Sequence, residues 1–132
     1  MILIDTSVWI EYFRESKSRH ADELQRLIAD DEDLAVADLI VMEVLQGIRD
    51  DRTYEEIREL LFAFPIHSTG GIENCMKSAA LYRKCRKQGQ TIRRSIDCLL
   101  ATLALEQNLE IFHLDRDFDS IAKVSGLKIY QF

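Results

Sequence analysis

Short apolar runs alternate with helix-period stripes along nearly the whole chain, and no other feature of the sequence constrains the fold as much. Ile2 to Ile4 is an uninterrupted apolar triplet that reads as a buried strand. Val8 to Arg14 follows, with Trp9, Tyr12 and Phe13 at helical spacing, and Ala21 to Ala29 sets Leu24, Leu27 and Ile28 on one face. A second apolar run, Leu34 to Val36, precedes DLIVMEVLQGI, a helix that Asp38 is placed to cap. Tyr54, Ile57, Leu60, Leu61 and Phe64 recur at helical intervals, and Pro65 closes that helix. Pro65 to His67 reads as an edge strand. Ile72, Cys75, Met76, Ala79 and Tyr82 make the apolar stripe of a further helix that Gly89 ends, and Ser95 caps the strongly apolar SIDCLLATLALEQ. Residues 111–113 and 127–132 read as the last strands. Strands that alternate with helices in this way form a parallel sheet covered on both faces, an α/β fold.

The remaining bulk properties narrow the class. The 132 residues are the length of one ordinary domain, and a hydrophobic fraction of 47% supplies a core. No apolar run approaches the roughly 18–20 residues of a membrane span, and no basic region precedes the first apolar residues. The expectation is a single domain over 1–132, in the cytoplasm, with no membrane partner. Cys75, Cys85 and Cys98 are odd in number and form no CxxC, so neither a disulfide framework nor a zinc site is indicated.

In open parallel sheets the functional crevice lies beyond the carboxyl ends of the strands. Asp5 stands there, directly after the first strand, where a lone carboxylate is costly unless something binds it. Asp115 and Asp117 follow the strand at 111–113, and each also suits a turn or helix cap. Asp97 lies two residues into its helix, where the macrodipole alone favours an acid. Glu43 sits inside IVMEVL, among apolar neighbours. A binding partner shared by these acids would resolve the cost of both Asp5 and Glu43. Carboxylate oxygens without cysteine or paired histidine select a hard cation, Mg²⁺ or Mn²⁺. Two such ions about 4 Å apart can activate a water and stabilise the leaving oxygen of a phosphodiester.

Net charge first argues against a polyanionic partner, because it is −6. Setting those five residues aside leaves 18 of the 23 acids against 17 bases. Between Glu73 and Asp97 there is no acid at all, but there are seven bases: Lys77, Arg83, Lys84, Arg86, Lys87, Arg93 and Arg94. That run is either a solvated helix face or a surface that tracks phosphates.

LIDTSVWIEYF, the helix with Glu43, IRRSIDCLLATLA and HLDRDF, in this order and over essentially the whole chain, resemble the PIN-domain nucleases. More closely, they resemble the VapC-type toxins of toxin–antitoxin pairs. The resemblance implies an α/β/α sandwich with a parallel sheet of about five strands in the order 3-2-1-4-5. It also implies an endoribonuclease dependent on Mg²⁺ or Mn²⁺, a homodimer, and a small cognate antitoxin as inhibitor. Asp5, Glu43, Asp97 and Asp115 match the family's catalytic acids, and Asp5, Asp97, Asp115 and Asp117 are the expected metal ligands. Thr6 matches the hydroxyl residue after the first acid and is expected to support the carboxylates. His113 stands where many relatives carry threonine or serine; filling space at a strand end and hydrogen bonding to a carboxylate are both open to it. Arg93, Arg94, Lys84 and Lys87 are expected to hold RNA phosphates. Two rivals have sequence-level tests. A haloacid-dehalogenase-type phosphatase needs an aspartate two residues after Asp5, and Ser7 stands there. A catalytically weak PIN-like binding or regulatory module need not keep the acids that this chain has.

Overall fold

The computed structural model describes residues 1–132. In chain order the elements are β1 (Ile2–Ile4), α1 (Thr6–Phe13), α2 (Arg19–Ala29), β2 (Leu34–Ala37), α3 (Asp38–Gln46), α4 (Asp51–Phe62), β3 (Ile66–His67), α5 (Ile72–Lys87), α6 (Ser95–Gln107), β4 (Glu110–Phe112), α7 (Arg116–Val124) and β5 (Lys128–Ile129). All strand pairs are parallel and the sheet order is β3-β2-β1-β4-β5, as expected. The central strand pairs through Ile2–Leu34 on one side and Ile4–Phe112 on the other. From β1 the chain steps outward to β2 and β3, which puts α1 to α4 on one face. It then returns past β1 to β4 and β5, which puts α5 to α7 on the other, because parallel crossovers are right-handed. The order therefore reverses between β1 and β4, and the crevice of such a sheet opens at that reversal.

The core contains Leu3, Ile4, Trp9, Leu34, Ile111 and Phe112, each no more than 2% exposed. Cys98, Leu100, Ala101, Leu103 and Ala104 are buried too, so α6 is enclosed on nearly every side. Its C-cap is Asn108, whose positive φ of 54° is a conformation asparagine tolerates. The end of α5 is made by Gly89 at φ 76°, which lets Gln90 N donate to Cys85 O at 2.8 Å. No helix is long and apolar enough to cross a membrane.

Several local expectations are corrected. α1 begins at Thr6 rather than Val8, because the Asp5 carboxylate accepts from Ser7 N and caps it. Asp38 and Ser95 are first-turn residues, not caps; Ala37 and Arg94 hold the cap positions without a side-chain bond. Asp38 instead accepts from Thr69 N at 3.1 Å and Thr69 Oγ1 at 3.0 Å, tying α3 to the loop before α5. Of the turn and cap readings open to Asp115, the cap holds: it opens α7, whose inner face is Phe118, Ile121 and Val124. The last strand is only Lys128–Ile129. The stripe predicted for α5 points outward: Ile72 is 75% and Met76 67% exposed, while Ser78 and Cys85 are buried.

Candidate active site

The carboxyl ends of β1 and β4 meet at the reversal point. Asp5 N donates to Phe112 O at 2.9 Å, which sets the first acid beside the strand that leads to Asp115. Asp5 is buried, and its Oδ2 accepts from Ser7 N at 3.1 Å and Ser7 Oγ at 2.5 Å. Ser7 Oγ in turn accepts from Leu114 N at 3.0 Å, so one hydroxyl ties the first acid to the turn that carries Asp115. In the sequence Ser7 bears only on the phosphatase alternative, through its lack of charge. Its signal was positional: a hydroxyl two residues after an aspartate at a helix start completes a local hydrogen-bonded turn. Thr6 Oγ1 donates to Glu43 Oε1 at 3.0 Å, and that is how α3 delivers its acid to the site.

Asp97 lies at the head of α6, 1% exposed, and its Oδ2 has no hydrogen-bond partner. Burial pushes its carboxyl up to about 7; the Arg94 charge opposes this, while Asp115, Asp5 and Asp117 add to it. Asp5 is also raised, by burial first and then by the charge of Glu43, against the lowering bonds from Ser7. Asp97, Asp115 and Asp117 each offer an oxygen within 4.8 Å of the others. Asp5 is close enough to act on Asp97 through its charge, and Glu43 acts in the same way on Asp5. An orphaned buried oxygen within an all-carboxylate donor set fits a hard divalent cation. Cys98, the next residue along α6, has its thiol pushed up to about 12 by burial and is no nucleophile near neutral pH.

Asp115 caps α7, its Oδ1 accepting from Asp117 N at 3.0 Å. His113 Nδ1 accepts from Asp115 N at 3.0 Å, which fixes Nε2 as the protonated nitrogen of the neutral ring; Nε2 lies 3.1 Å from Asp119 Oδ1. The histidine thus braces the turn below the acid. It therefore does more than fill space at the strand end.

The expected phosphate-binding residues separate into two groups. Lys84 and Lys87 are exposed near the C-terminal end of α5, where the helix dipole favours cations. Arg93 and Arg94 turn inward instead. Arg93 donates from Nη2 to Asp115 Oδ1 at 2.8 Å, from Nε to Asp117 Oδ1 at 3.3 Å, and from its backbone N to Asp117 Oδ2 at 3.0 Å. Arg94 closes a short ion pair with Glu43 Oε2. Charge neutralisation explains the inward turn, because buried acids draw the nearest cations.

A family model described as PIN domain matches residues 2–124. The chain belongs to the PIN domain family. "Ribonuclease VapC11" of Mycobacterium tuberculosis is 38% identical over 133 residues, spanning 100% of this chain and 99% of that protein. Two solved structures share the PIN fold. VapBC2 from Rickettsia felis, bound to a DNA fragment from its promoter, superposes with a TM-score of 0.75 at 14% identity, covering 100% of this chain and 99% of that one. FitAcB from Neisseria gonorrhoeae gives 0.76 at 20% identity, covering 99% and 97%.

Proposed function

We propose that this PIN domain, acting as a single unit over 1–132, is a metal-dependent endoribonuclease and the toxin of a VapBC-type pair. The observation that carries the reading is Asp97: a buried carboxylate with an orphaned oxygen, facing Asp5, Asp115 and Asp117 at the reversal point of the sheet. The full-length relative named as a ribonuclease supports the substrate class. Asp5, Asp97, Asp115 and Asp117 would hold Mg²⁺ or Mn²⁺. The bound ion supplies Lewis acidity, which lowers the pKa of water and stabilises the leaving oxygen. Glu43, held by Thr6, orients the attacking water from the α3 side. Ser7 and His113 keep Asp5 and Asp115 in register. Lys84 and Lys87 draw in the RNA backbone. Cleavage by water needs no 2′-hydroxyl nucleophile and leaves a 5′-phosphate.

Mapping RNA 5′ ends after expression of wild type, Asp5→Asn and Asp97→Asn tests this. New 5′-phosphate ends that vanish in both folded variants are expected; 2′,3′-cyclic phosphate products or full activity of either variant reject it. The arginine pairs on the acids are what favours a catalytically weak binding module, and chelator-sensitive cleavage of structured RNA excludes that reading.

The named complexes of structural relatives support a small antitoxin as partner. A groove of about 510 Å³ between α1, α2 and α4, lined by Tyr12, Phe13, Ile57 and Leu60 and by charged residues such as Lys17 and Glu56, suits an amphipathic inhibitor helix. The exposed stripe of α5, with Leu39, Ile96 and Leu99 beside it, suits a second copy of the chain. Trp9, which is fully buried, and Tyr12 and Phe13, which are half-buried, offer a dimer less surface than the α5 stripe, while the stretch from Tyr54 to Phe64, mostly in α4, keeps Phe62 exposed as an alternative. A cytoplasmic site of action agrees with free thiols and an RNA substrate.

A further inference from the structure

We infer that Arg94 is an exchangeable counter-ion: it holds Glu43 without metal, and a cation held by Asp5, Asp97, Asp115 and Asp117 repels it from there so that it takes up a substrate phosphate. This rests on the metal-site reading above. The two adjacent arginines are bound very differently. Arg93 is anchored three times on Asp115 and Asp117, once through its backbone, so its guanidinium is a fixed part of the site. Arg94 has a single side-chain partner, Glu43 Oε2, and its side chain is half exposed. Its backbone, by contrast, is held: Arg94 O accepts from Asp97 N at 3.1 Å at the head of α6. A guanidinium on a fixed root with one exposed contact can swing without disturbing the helix.

Its position also sets it against a cation. Asp97, Glu43 and Asp5, three of the acids at the site, all act on Arg94 through their charge. A divalent ion among those carboxylates repels a guanidinium in the same space, and each weakens the hold of the other. Glu43 need not move in the exchange, because Thr6 holds its other oxygen. The displaced guanidinium stays at the mouth of the site, where a planar fork matches a phosphate. The same residue then limits charge repulsion in the empty site and binds substrate in the loaded one.

Titration calorimetry with Mn²⁺ on wild type, Arg94→Gln, Arg94→Lys and the remote control Arg52→Gln tests the exchange. Arg94→Gln should tighten Mn²⁺ binding about fivefold or more, since a competing charge is gone. Arg94→Lys and Arg52→Gln should stay near wild type, because both keep the site's charge. A second readout is RNA affinity against salt, in Ca²⁺ to suppress cleavage and in EDTA. The slope of log K on log salt should fall by about 0.7 for Arg94→Gln in Ca²⁺ and stay unchanged in EDTA, where Glu43 occupies the arginine. Unchanged or weaker Mn²⁺ binding by Arg94→Gln, or an equal slope change in both media, overturns the exchange and leaves the metal site standing. Absence of Mn²⁺ binding by wild type overturns both.

Discussion

The burial that leaves Asp97 1% exposed also raises its carboxyl from 3.8 to about 7 in the metal-free protein, and that has a measurable sign. Between roughly pH 4 and pH 7 the folded state keeps a proton that the unfolded chain has lost. The contribution of this group to stability is therefore greatest below that window, declines through it, and is flat above it. Asp97→Asn removes the slope. In EDTA, urea unfolding should show the variant gaining on wild type by on the order of a few kcal/mol from pH 4 to pH 8. Parallel pH profiles for the two proteins would contradict the assignment. Ser7 gives a second residue-scale outcome. Ser7→Ala leaves Leu114 N without its acceptor and takes one of two donors from Asp5 Oδ2, at a cost of about 1–3 kcal/mol. An unfolding midpoint equal to wild type would show that the hydroxyl bridge carries nothing.

Among the elements, α6 and α5 behave oppositely, and each can be probed. α6 is enclosed and ends on Asn108 in the left-handed region, so Asn108→Val should cost about 1 kcal/mol or more by thermal melting while Asn108→Gly is neutral. α5 turns its apolar stripe to solvent. If that stripe joins two copies, Met76→Glu should convert a dimer to a monomer by light scattering while the circular dichroism spectrum stays the same. A dimer that survives the substitution would move the interface elsewhere. The stripe also shows where element-level reading fails. The spacing of Ile72, Cys75, Met76 and Ala79 identified the helix correctly, but periodicity cannot say which face the sheet will cover. In α7 the reverse holds: Asp115 and Asp117 read as turn or cap residues, while the helix rests on the spacing of Phe118 and Ile121.

For the whole molecule, the consequence of the sheet order is that acids from opposite ends of the chain share one crevice. Asp5 arrives at the end of β1, Asp115 after β4, and Asp97 on the helix between them and the outer layer. Arg93 and Arg94 offset part of this charge, the burial of Asp97 still opposes folding of its ionised form, and a bound cation would relieve that cost. Mg²⁺ or Mn²⁺ at 100 times its Kd should stabilise the fold by about 2.7 kcal/mol, raising Tm by several degrees. EDTA should reverse the shift and Asp97→Asn should abolish it, by differential scanning fluorimetry. A metal-independent Tm would contradict the site.

The order of strands and helices was legible in the sequence because apolar periodicity records which residues must leave water. Asp5 and Glu43 also stood out in the sequence, because an unpartnered carboxylate is costly where they sit, whereas Asp97, Asp115 and Asp117 each had an ordinary cap or turn reading until the resemblance joined them. The family resemblance added the sheet order. Tertiary structure alone decided how these acids are held. It put Ser7 between Asp5 and Leu114, gave Thr6 to Glu43, and turned Arg93 and Arg94 inward onto carboxylates rather than outward. The reason is physical. Periodicity reports burial one residue at a time, whereas a charge's partner depends on which distant side chains the sheet brings within a few ångströms of it.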